Sequence, residues 1–561
     1  MNMISIDRRL ASLGAAVVSM LGPIGADAQV KANAADAADL PIAFIWMTVA
    51  NSADAIPGGD GRVFNSFNQP SVNGSGLVVL RGRSKGGGAT SGGDSGQPLR
   101  GIYSRQMAST AGPLTLVFDT KTVVPGANNV QYQNSLGTLT EFPAFPRIGI
   151  DNATMVTRGQ SKPVYEYQTG VDPVTGLPIT TRIGTSGVYA MRLGERVAAM
   201  SQLGVVPGFE HYSVPGATPG IKFDQFPGAP AIAATNTVVF KGNYTDAVSK
   251  TGIFFRMFNP SGLPSKTQVV AGSDTLIPGQ GAGGTTRFGS TAPPSAVGSD
   301  VVFLGLDNEA APTLGGIYRA PLATNPALRT LVSIGGQVPG ESSGVGFTRL
   351  GEALSFDGRF VSFWGAWGSE VRTLTLICPT DGQAAVIDYC NLTYPNGYVV
   401  DVPVHQGFFV HDLKAGKTSP VVKTGGEYLD FMYWTFSGRP PGVGDSDSED
   451  FEEPRWRSAA FAATYTTSGK AQVAFKGRKQ TLIDGIYLTV APASPAVYRT
   501  VIETTSGATL IDPAAPAEAA ITTVGLERDG LRNGWLAIAA SMLDPISGAS
   551  WAGVYVTRTA K

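Results

Sequence analysis

The stretch "VVFKGNYTDAVSKTGIFF", residues 238–255, contains two short apolar runs separated by a polar segment. A glycine closes the first run and another opens the second, a pattern typical of two antiparallel strands joined by a turn. The pair of runs returns six more times: "VVLRG" (78–82) with "GIY" (101–103), "MVTRG" (155–159) with "GVY" (187–189), "VVFLG" (301–305) with "GIY" (316–318), "VSFWG" (361–365) with "GFF" (407–409), "VAFKG" (473–477) with "GIY" (485–487), and "LAIAA" (536–540) with "GVY" (553–555). Seven copies at a period of roughly 65 to 90 residues indicate a repeat architecture.

Each copy has two further parts. A short segment that often opens with Phe or Pro precedes the first run, as in "FPGAPAIA" from Phe226, and a segment that often ends in "VPG" or "IPG" follows the second, as at 277–279. Four short antiparallel strands per repeat describe the blade of a β-propeller. We therefore predict an all-β fold, a seven-bladed β-propeller of four-stranded antiparallel blades.

The two ends of the chain complement each other. The last copy ends in "GVYVTRTAK" (553–561), which leaves no room for a fourth strand, whereas "PIAFIWMTVANSADAIPGG" (41–59) resembles a fourth strand that lacks the first three. We expect the N-terminal strand to join the last blade and close the ring, because closure removes exposed sheet edges. Residues 29–561 are then a single propeller domain.

Residues 1–28 have the features of a secretory signal peptide. Arg8 and Arg9 precede an apolar stretch, and "ADA" ending at Ala28 fits the small-residue rule for cleavage. No later run is long and apolar enough to predict a membrane span. We expect a secreted or periplasmic protein.

Charge and cysteine content narrow the function. The formal net charge is −1 and 15% of residues are charged, so the electrostatic argument for nucleic-acid binding is absent. In an oxidising compartment an even pair of cysteines close in sequence usually forms a disulfide, which predicts a bond between Cys378 and Cys390. Two free buried thiols are the alternative.

The order of Phe-Pro segment, "VVFKG" run, "GIY" run and "VPG" ending resembles that of propeller-repeat proteins secreted by bacteria. The resemblance covers nearly all of the mature chain. It implies the propeller and export, and it brings no catalytic motif. The repeated Trp-Asp of WD40 blades and the Asp box of sialidases are not found in the sequence.

The connections of the predicted blades differ in length. Those after the second and fourth strands vary, and the one in blade five is an insertion at about 366–406. Both classes emerge on one face of a propeller, and loops on a rigid scaffold carry binding sites. We expect the functional site on this face.

Basic residues precede the closing glycine of the second strand in four blades: Arg81, Arg158, Lys241 and Lys476. Equivalent positions on radial blades would form a partial ring of cations that binds an anionic ligand, such as a uronate-bearing glycan. Alternatively, these side chains only extend along the sheet ends towards water.

A second candidate lies between blades two and three. His211 and Tyr212 fall between Arg158 and Lys241, with Tyr244 just beyond. Cations that neutralise a carboxylate, together with a general base and acid, would suit β-elimination on a uronic acid. An ordinary polar loop is the alternative.

Blade five carries a third group. Trp364, Trp367 and His405 border its insertion and would stack on sugar rings or pack the inserted loop. Further on, Asp445, Asp447 and Glu449 alternate like oxygen ligands of Ca²⁺, or belong to a solvated acidic loop. We expect no other cofactor.

These observations favour a monomeric propeller that binds a glycan, acidic or not, or an extracellular partner protein through its elaborated face. A polysaccharide-degrading enzyme on the same face is the alternative, either a lyase or a glycoside hydrolase. A structural surface protein is the third interpretation.

Overall fold

The computed structural model confirms the propeller. It describes residues 40–559 except 86–97, 127, 130, 133–134, 162, 185, 235, 259–264, 381–383, 439–452 and 494–495. Seven antiparallel sheets follow one another along the chain, and blade one is the sheet that begins at Phe64.

The first strand of every blade is interrupted and pairs with the second strand in two pieces. In blade order the pieces are Phe64–Phe67 and Ser71–Val72, Leu139–Glu141 and Arg147–Ile148, Phe223–Gln225 and Ala231–Ala233, Ser290–Thr291 and Ser295–Val297, Phe347–Leu350 and Ser355–Phe356, Tyr428–Asp430 and Ala462–Thr467, and Ala520–Gly525 and Leu531–Arg532. The chain between the two pieces is therefore available for other roles in each blade.

The remaining strands follow the predicted order. The second strands are Leu77–Ser84, Met155–Ser161, Thr237–Asp246, Asp300–Leu306, Phe360–Trp367, Lys470–Lys479 and Trp535–Leu543. The third strands are Arg100–Gln106, Gly187–Arg192, Val248–Met257, Gly315–Pro321, Gln406–Asp412, Asp484–Ala491 and Ser550–Arg558. The fourth strands are Thr115–Asp119, Glu195–Ser201, Gln268–Gly272, Arg329–Ser333, Lys417–Lys423, Arg499–Glu503 and, for blade seven, Trp46–Asn51.

The N-terminal strand closes the ring as predicted. Trp46 lies opposite Thr557 and Asn51 lies opposite Gly553 in an antiparallel pair. Val49, on this strand, is buried in one apolar cluster with Val554 of blade seven and Val78 of blade one. Apolar packing therefore continues across the junction of the two chain ends.

A glycine inside the second strand of blades one to six lies against an aromatic ring. At Gly82, Gly242 and Gly365 an added Cβ would lie 2.5 to 2.8 Å from a ring atom of the Phe that begins the first strand of the same blade, and at Gly305 it would lie 2.6 Å from the ring of Phe288, two residues before that strand. Any side chain would collide with that ring. This close approach explains why "VVFKG" recurs with its final glycine.

Elements outside the blades lie mostly in the connections after second and fourth strands. They are the hairpin Pro163–Val171 with Pro178–Gly184, the pair Val371–Leu376 with Tyr398–Pro403, the helix Ala384–Thr393, the short pair Gln131–Tyr132 with Ser135–Leu136, and the 3-10 turns Gln202–Val205, Glu210–Tyr212 and Ala508–Leu510. A further hairpin, Tyr433–Ser437 with Arg455–Ala459, interrupts the first strand of blade six. No helix of the described residues has the length and apolar character needed to cross a membrane.

Candidate functional site

A five-residue segment of blade seven, Leu526–Gly530, fills the middle of the ring; we call it the plug. It lies between the two pieces of the first strand of that blade. Hydrogen bonds from the plug and the adjoining Arg532 reach all six other blades, through the Val72 amide, the Arg147 side chain, the Ala229 and Pro293 carbonyl oxygens, the Ser355 hydroxyl and the Thr464 carbonyl oxygen. The first-strand interruptions thus meet at the axis of the propeller.

The plug is held by buried charges. The guanidinium of Arg147 pairs with Asp529 and, at 3.2 Å, with Glu527, and Arg532 also pairs with Asp529. Burial would raise the pKa of Asp529, but the guanidinium groups of Arg147, Arg532 and Arg528 outweigh it and lower that pKa. Burial lowers the pKa of Arg528 to about 10, so this residue stays charged at neutral pH.

Four charged residues, each from a different blade, act electrostatically on Glu352 of blade five. Lys241 comes from the second strand of blade three, Glu309 from the connection that follows in blade four, and Glu352 from the first-strand gap of blade five. Arg455 comes from the hairpin of blade six, and Arg528 from the plug. We call these five residues the Glu352 cluster.

Glu352 stands out by its environment. Its side chain reaches solvent, as do those of Glu309 and Arg455, while Lys241 is half-buried. Protein atoms packed around the Glu352 carboxyl raise its pKa, and Glu309 adds to this, whereas the three cations act in the opposite direction. Among the described carboxyl groups whose pKa departs from its ordinary value, Glu352 is the one whose pKa is raised, and a perturbed group exposed to solvent is a functional candidate.

The four predicted collar residues occupy equivalent positions, since each lies opposite the second residue of a "GIY" run. Their environments differ. Arg81 donates to the carbonyl oxygen of Phe142 in the next blade, and Arg158 is buried. The Nζ of Lys476 lies 3.7 Å from the ring centroid of Tyr433, and burial lowers its pKa to about 8. Lys241 is the collar residue that joins the Glu352 cluster.

The structure places His211 and Tyr212 on the 3-10 turn Glu210–Tyr212. The Tyr212 ring is buried under the guanidinium of Arg256, and its hydroxyl donates to the Ala198 carbonyl oxygen at 3.4 Å. Burial raises the pKa of Tyr212. Burial and, secondarily, Arg256 lower the pKa of His211 to about 4, so that it is neutral at pH 7.

Tyr244 joins the same core as Tyr212, where it packs against Phe223 and Phe254. Burial raises the pKa of Tyr244 to about 12. Lys241 precedes Tyr244 by three positions and points to the opposite side of the strand. The structure thus brings the two tyrosines into one cluster and directs Lys241 away from them, towards blade four.

The blade-five residues are packed together. The indole nitrogen of Trp364 donates to Oε1 of Gln406 at 2.9 Å inside the sheet. Trp367 is buried beneath His405, with ring centroids 6.1 Å apart, and His405 lies 3.4 Å from the carboxylate of Glu370. His405 is the exposed member of this group.

The predicted disulfide forms between Cys378 and Cys390 and cross-links the insertion of blade five. The bridge packs against Phe436 and Trp456 of the hairpin in blade six. Two inserted segments from neighbouring blades therefore form one small apolar cluster above the ring. Ile377 and Leu392 remain on its surface, 70% and 81% exposed.

Asp445, Asp447 and Glu449 lie outside the described residues. Within the described part of the chain, no three His, Cys, Asp or Glu side chains gather in a way that would hold a metal ion. The predicted signal peptide, residues 1–28, is likewise outside the described residues.

Comparison of the sequence with protein-family models and with curated proteins gives no match. Solved structures match the chain at low similarity. Trypanosoma rangeli sialidase is 10% identical with a TM-score of 0.33 over 81% of this chain and 60% of that one. Zg3597, a family 117 glycoside hydrolase of Zobellia galactanivorans, is 12% identical with a TM-score of 0.27 over 67% and 93%. The plexin A4 extracellular region is 10% identical with a TM-score of 0.34 over 92% and 47%.

The sequence pattern predicted one member of the Glu352 cluster, Lys241, as a binding residue and did not single out the other four. Glu352 and Arg528 follow the first pieces of their first strands, where other blades have "FPGAP" or "APP". A charged residue at this same position in two blades was the sequence feature that could have indicated the cluster.

Proposed function

We propose that this protein is an exported binding propeller that takes an acidic saccharide at the Glu352 cluster. The observation that carries the proposal is that three cations and a second carboxyl group, contributed by four other blades, act electrostatically on the carboxyl group of Glu352. Lys241 and Arg455 would pair with a carboxylate or sulfate of the ligand. Glu309 and Glu352 would bind its hydroxyl groups, which suits a charged sugar better than a simple anion.

Isothermal titration with oligosaccharides tests the proposal. We expect oligomers of galacturonate, glucuronate or a sulfated sugar to bind, a neutral maltose oligomer to bind weakly or not at all, and added salt to weaken binding. Lys241→Met should reduce affinity by about 1.5–3 kcal/mol, the range for a hydrogen bond to a charged group. Lys414→Met is the matched control, because Lys414 is exposed on a turn of the opposite face.

Failure of every acidic oligosaccharide to bind, or equal loss in the two lysine variants, would overturn the proposal. The same samples distinguish binding from lyase chemistry, since elimination on a uronate creates an ultraviolet-absorbing double bond. His211→Ala would abolish that signal if His211 served as the general base.

A protein partner is the second candidate, and one observation favours it. The insertions of blades two and five leave aliphatic side chains on the same face, with Val174 90%, Leu177 64% and Leu392 81% exposed. Exposed apolar groups on projecting segments are typical of protein contacts. Val174→Ser with Leu177→Ser should abolish co-purification of such a partner while leaving saccharide titrations unchanged.

A further inference from the structure

A cavity of about 300 Å³ lies between blades six, seven, one and two. Its lining residues are Gly74, Ser75, Ile150, Asp151, Tyr465 and Asn533. They belong to the connections between first and second strands or, in blade six, to the strand that leads into that connection. Because successive strands of a blade are antiparallel, these connections emerge on the face opposite the long ones. The volume is at the lower end of ligand pockets, about 300–1,000 Å³, and suits one small molecule.

A chain of hydrogen bonds fixes the wall of this cavity. The Tyr465 hydroxyl donates to Oδ1 of Asn533 at 3.1 Å, and Nδ2 of Asn533 donates to the Gly74 carbonyl oxygen at 3.0 Å. The Gly74 amide donates to the Ile150 carbonyl oxygen at 2.9 Å. Each bond joins two neighbouring blades, so the polar groups are held in place before a ligand arrives, which lowers the entropic cost of binding.

Asp151 lies on the same wall. A Cβ added to Gly74 would lie 3.9 Å from Oδ1 of Asp151 and 3.6 Å from Cβ of Asn533, so the carboxylate and the amide side chain both lie next to a residue that has no side chain. Within the described part of the chain, no hydrogen bond or ion pair engages the Asp151 carboxylate, and none of the residues that line the cavity is a cation. The carboxylate is therefore free to bind a ligand.

The unused hydrogen-bonding groups of the cavity are of both kinds. The Tyr465 hydroxyl already donates its hydrogen to Asn533, so its oxygen is left as an acceptor. The Ser75 hydroxyl donates to Oδ1 of Asn73 at 2.9 Å, and its oxygen likewise remains an acceptor. Together with the Asp151 carboxylate they face one free donor, the second N–H of the Asn533 amide.

We propose that this cavity binds one hexopyranose unit of a neutral saccharide, at a site separate from the Glu352 cluster. Sugar hydroxyl groups donate and accept, so they can satisfy the three acceptor groups and the amide donor together. The apolar face of the sugar ring can pack on the half-buried ring of Tyr465.

The same groups argue against two other ligand classes. An organic ammonium ion would pair with Asp151 but leave the Asn533 donor without a partner. Such cations are recognised by cages of aromatic rings, whereas Tyr465 is the one aromatic residue in the lining. An acidic sugar would bring its carboxylate near Asp151, and the two negative charges would repel each other.

Isothermal titration with single-ring probes tests the proposal. We expect the methyl glycoside of at least one of glucose, galactose and mannose to bind, and galacturonic acid and choline to bind more weakly. Asp151→Ala should weaken glycoside binding at least about tenfold, through the loss of a hydrogen bond to a charged group. Asp388→Ala is the matched control, because Asp388 is an exposed aspartate of the helix Ala384–Thr393 on the other face.

Lys241→Met should leave glycoside binding unchanged, which separates this cavity from the Glu352 cluster. The cavity admits a single ring, so a neutral maltose oligomer would occupy it weakly, through one unit. Failure of all three glycosides, binding of choline or galacturonic acid as tight as that of the best glycoside, or an Asp151→Ala protein that binds like the wild type would each overturn this proposal. None of these results bears on the proposed function, which depends on acidic oligosaccharides and on Lys241.

Discussion

At the scale of one residue, Gly242 shows why a glycine recurs at this position of the blade repeat. An added Cβ would lie 2.5 Å from Cε1 of Phe223, inside a cluster of aromatic rings. We expect Gly242→Ala to lower the free energy of unfolding by about 1–3 kcal/mol, because the core must shift to accept the methyl group. Denaturant unfolding monitored by fluorescence measures the change.

The control for this variant is Gly281→Ala. Gly281 is exposed, and an added Cβ there meets no atom within 4 Å. It should be close to neutral, within about 0.5 kcal/mol. Equal stability of the two variants would show that the aromatic ring of Phe223 does not contact Gly242 as it does in the structure.

His211 is a single residue that should make the stability of the folded protein depend on pH. Its pKa is about 4 in the folded protein and 6.5 for the ordinary side chain, mainly because the ring is partly buried. The unfolded chain therefore binds a proton that the folded one does not, and stability is lost as pH falls from 6.5 towards 4. We expect His211→Gln to reduce that loss.

Unfolding curves across this pH window, with His405→Gln as the exposed-histidine control, provide the measurement. Proton NMR of the three histidines assigns the effect, since the His211 resonance should still report a neutral ring at about pH 5. A His211 that titrates near its ordinary pKa would contradict the burial of its ring.

At the scale of an element, the plug occupies the gap in the first strand of blade seven and contacts the other blades. Asp529 is buried and neutralised by Arg147 and Arg532, which belong to different blades. We expect Asp529→Ala to lower the free energy of unfolding by about 3–5 kcal/mol, because two guanidinium groups lose their buried partner. Thermal and denaturant unfolding test this.

An exposed ion pair provides the comparison for the plug. Glu166 pairs with Arg182 at 3.0 Å on the hairpin of blade two, and both side chains are more than half exposed. Glu166→Gln should change stability by less than about 1 kcal/mol. A loss at Asp529 as small as that at Glu166 would mean that the plug does not hold the blades together.

The strands differ in how far their sequences predicted them. Second and third strands are apolar runs, bounded by glycine in blades one to six, and the sequence predicted both in every blade. The interruption of the first strand was not predicted, because "YLDFMYWTF" (428–436) runs on without a turn signal although it contains parts of two strands. The chain leaves the sheet after Asp430, whose carboxylate accepts hydrogen bonds from Gln406 and Arg372, and these partners lie far away in sequence.

At the scale of the whole molecule, the ring was predictable and the Glu352 cluster was not. A blade repeats a local pattern seven times, so counting its copies gives the architecture. The cluster instead takes one residue from each of five blades, from Lys241 to Arg528, and no local pattern connects them. Glu352, Arg455 and Arg528 belong to interruptions of first strands, whereas Lys241 lies on a second strand and Glu309 in the connection after one.

Ring closure is the prediction that belongs to the whole molecule. The strand Trp46–Asn51 covers Ser550–Arg558, and the pairing is reinforced by the Thr557 hydroxyl, which donates to the Ile45 carbonyl oxygen at 2.8 Å. Removing residues 1–51 would expose the strand Ser550–Arg558 as an open edge and uncover the apolar cluster beneath it. We expect the truncated protein to lose its soluble monomer by size-exclusion chromatography.

A circular permutant tests whether ring closure needs the strand itself or only needs that strand to stand at the N-terminus. Joining Thr559 to Pro41 through a flexible linker and opening the chain between Leu193 and Gly194, an exposed turn of blade two, keeps every strand pair. The permutant should remain a monomer that melts close to the full chain, because the closing strand pair is retained. A truncated protein that melts like the permutant would show that the ring does not depend on this strand for closure.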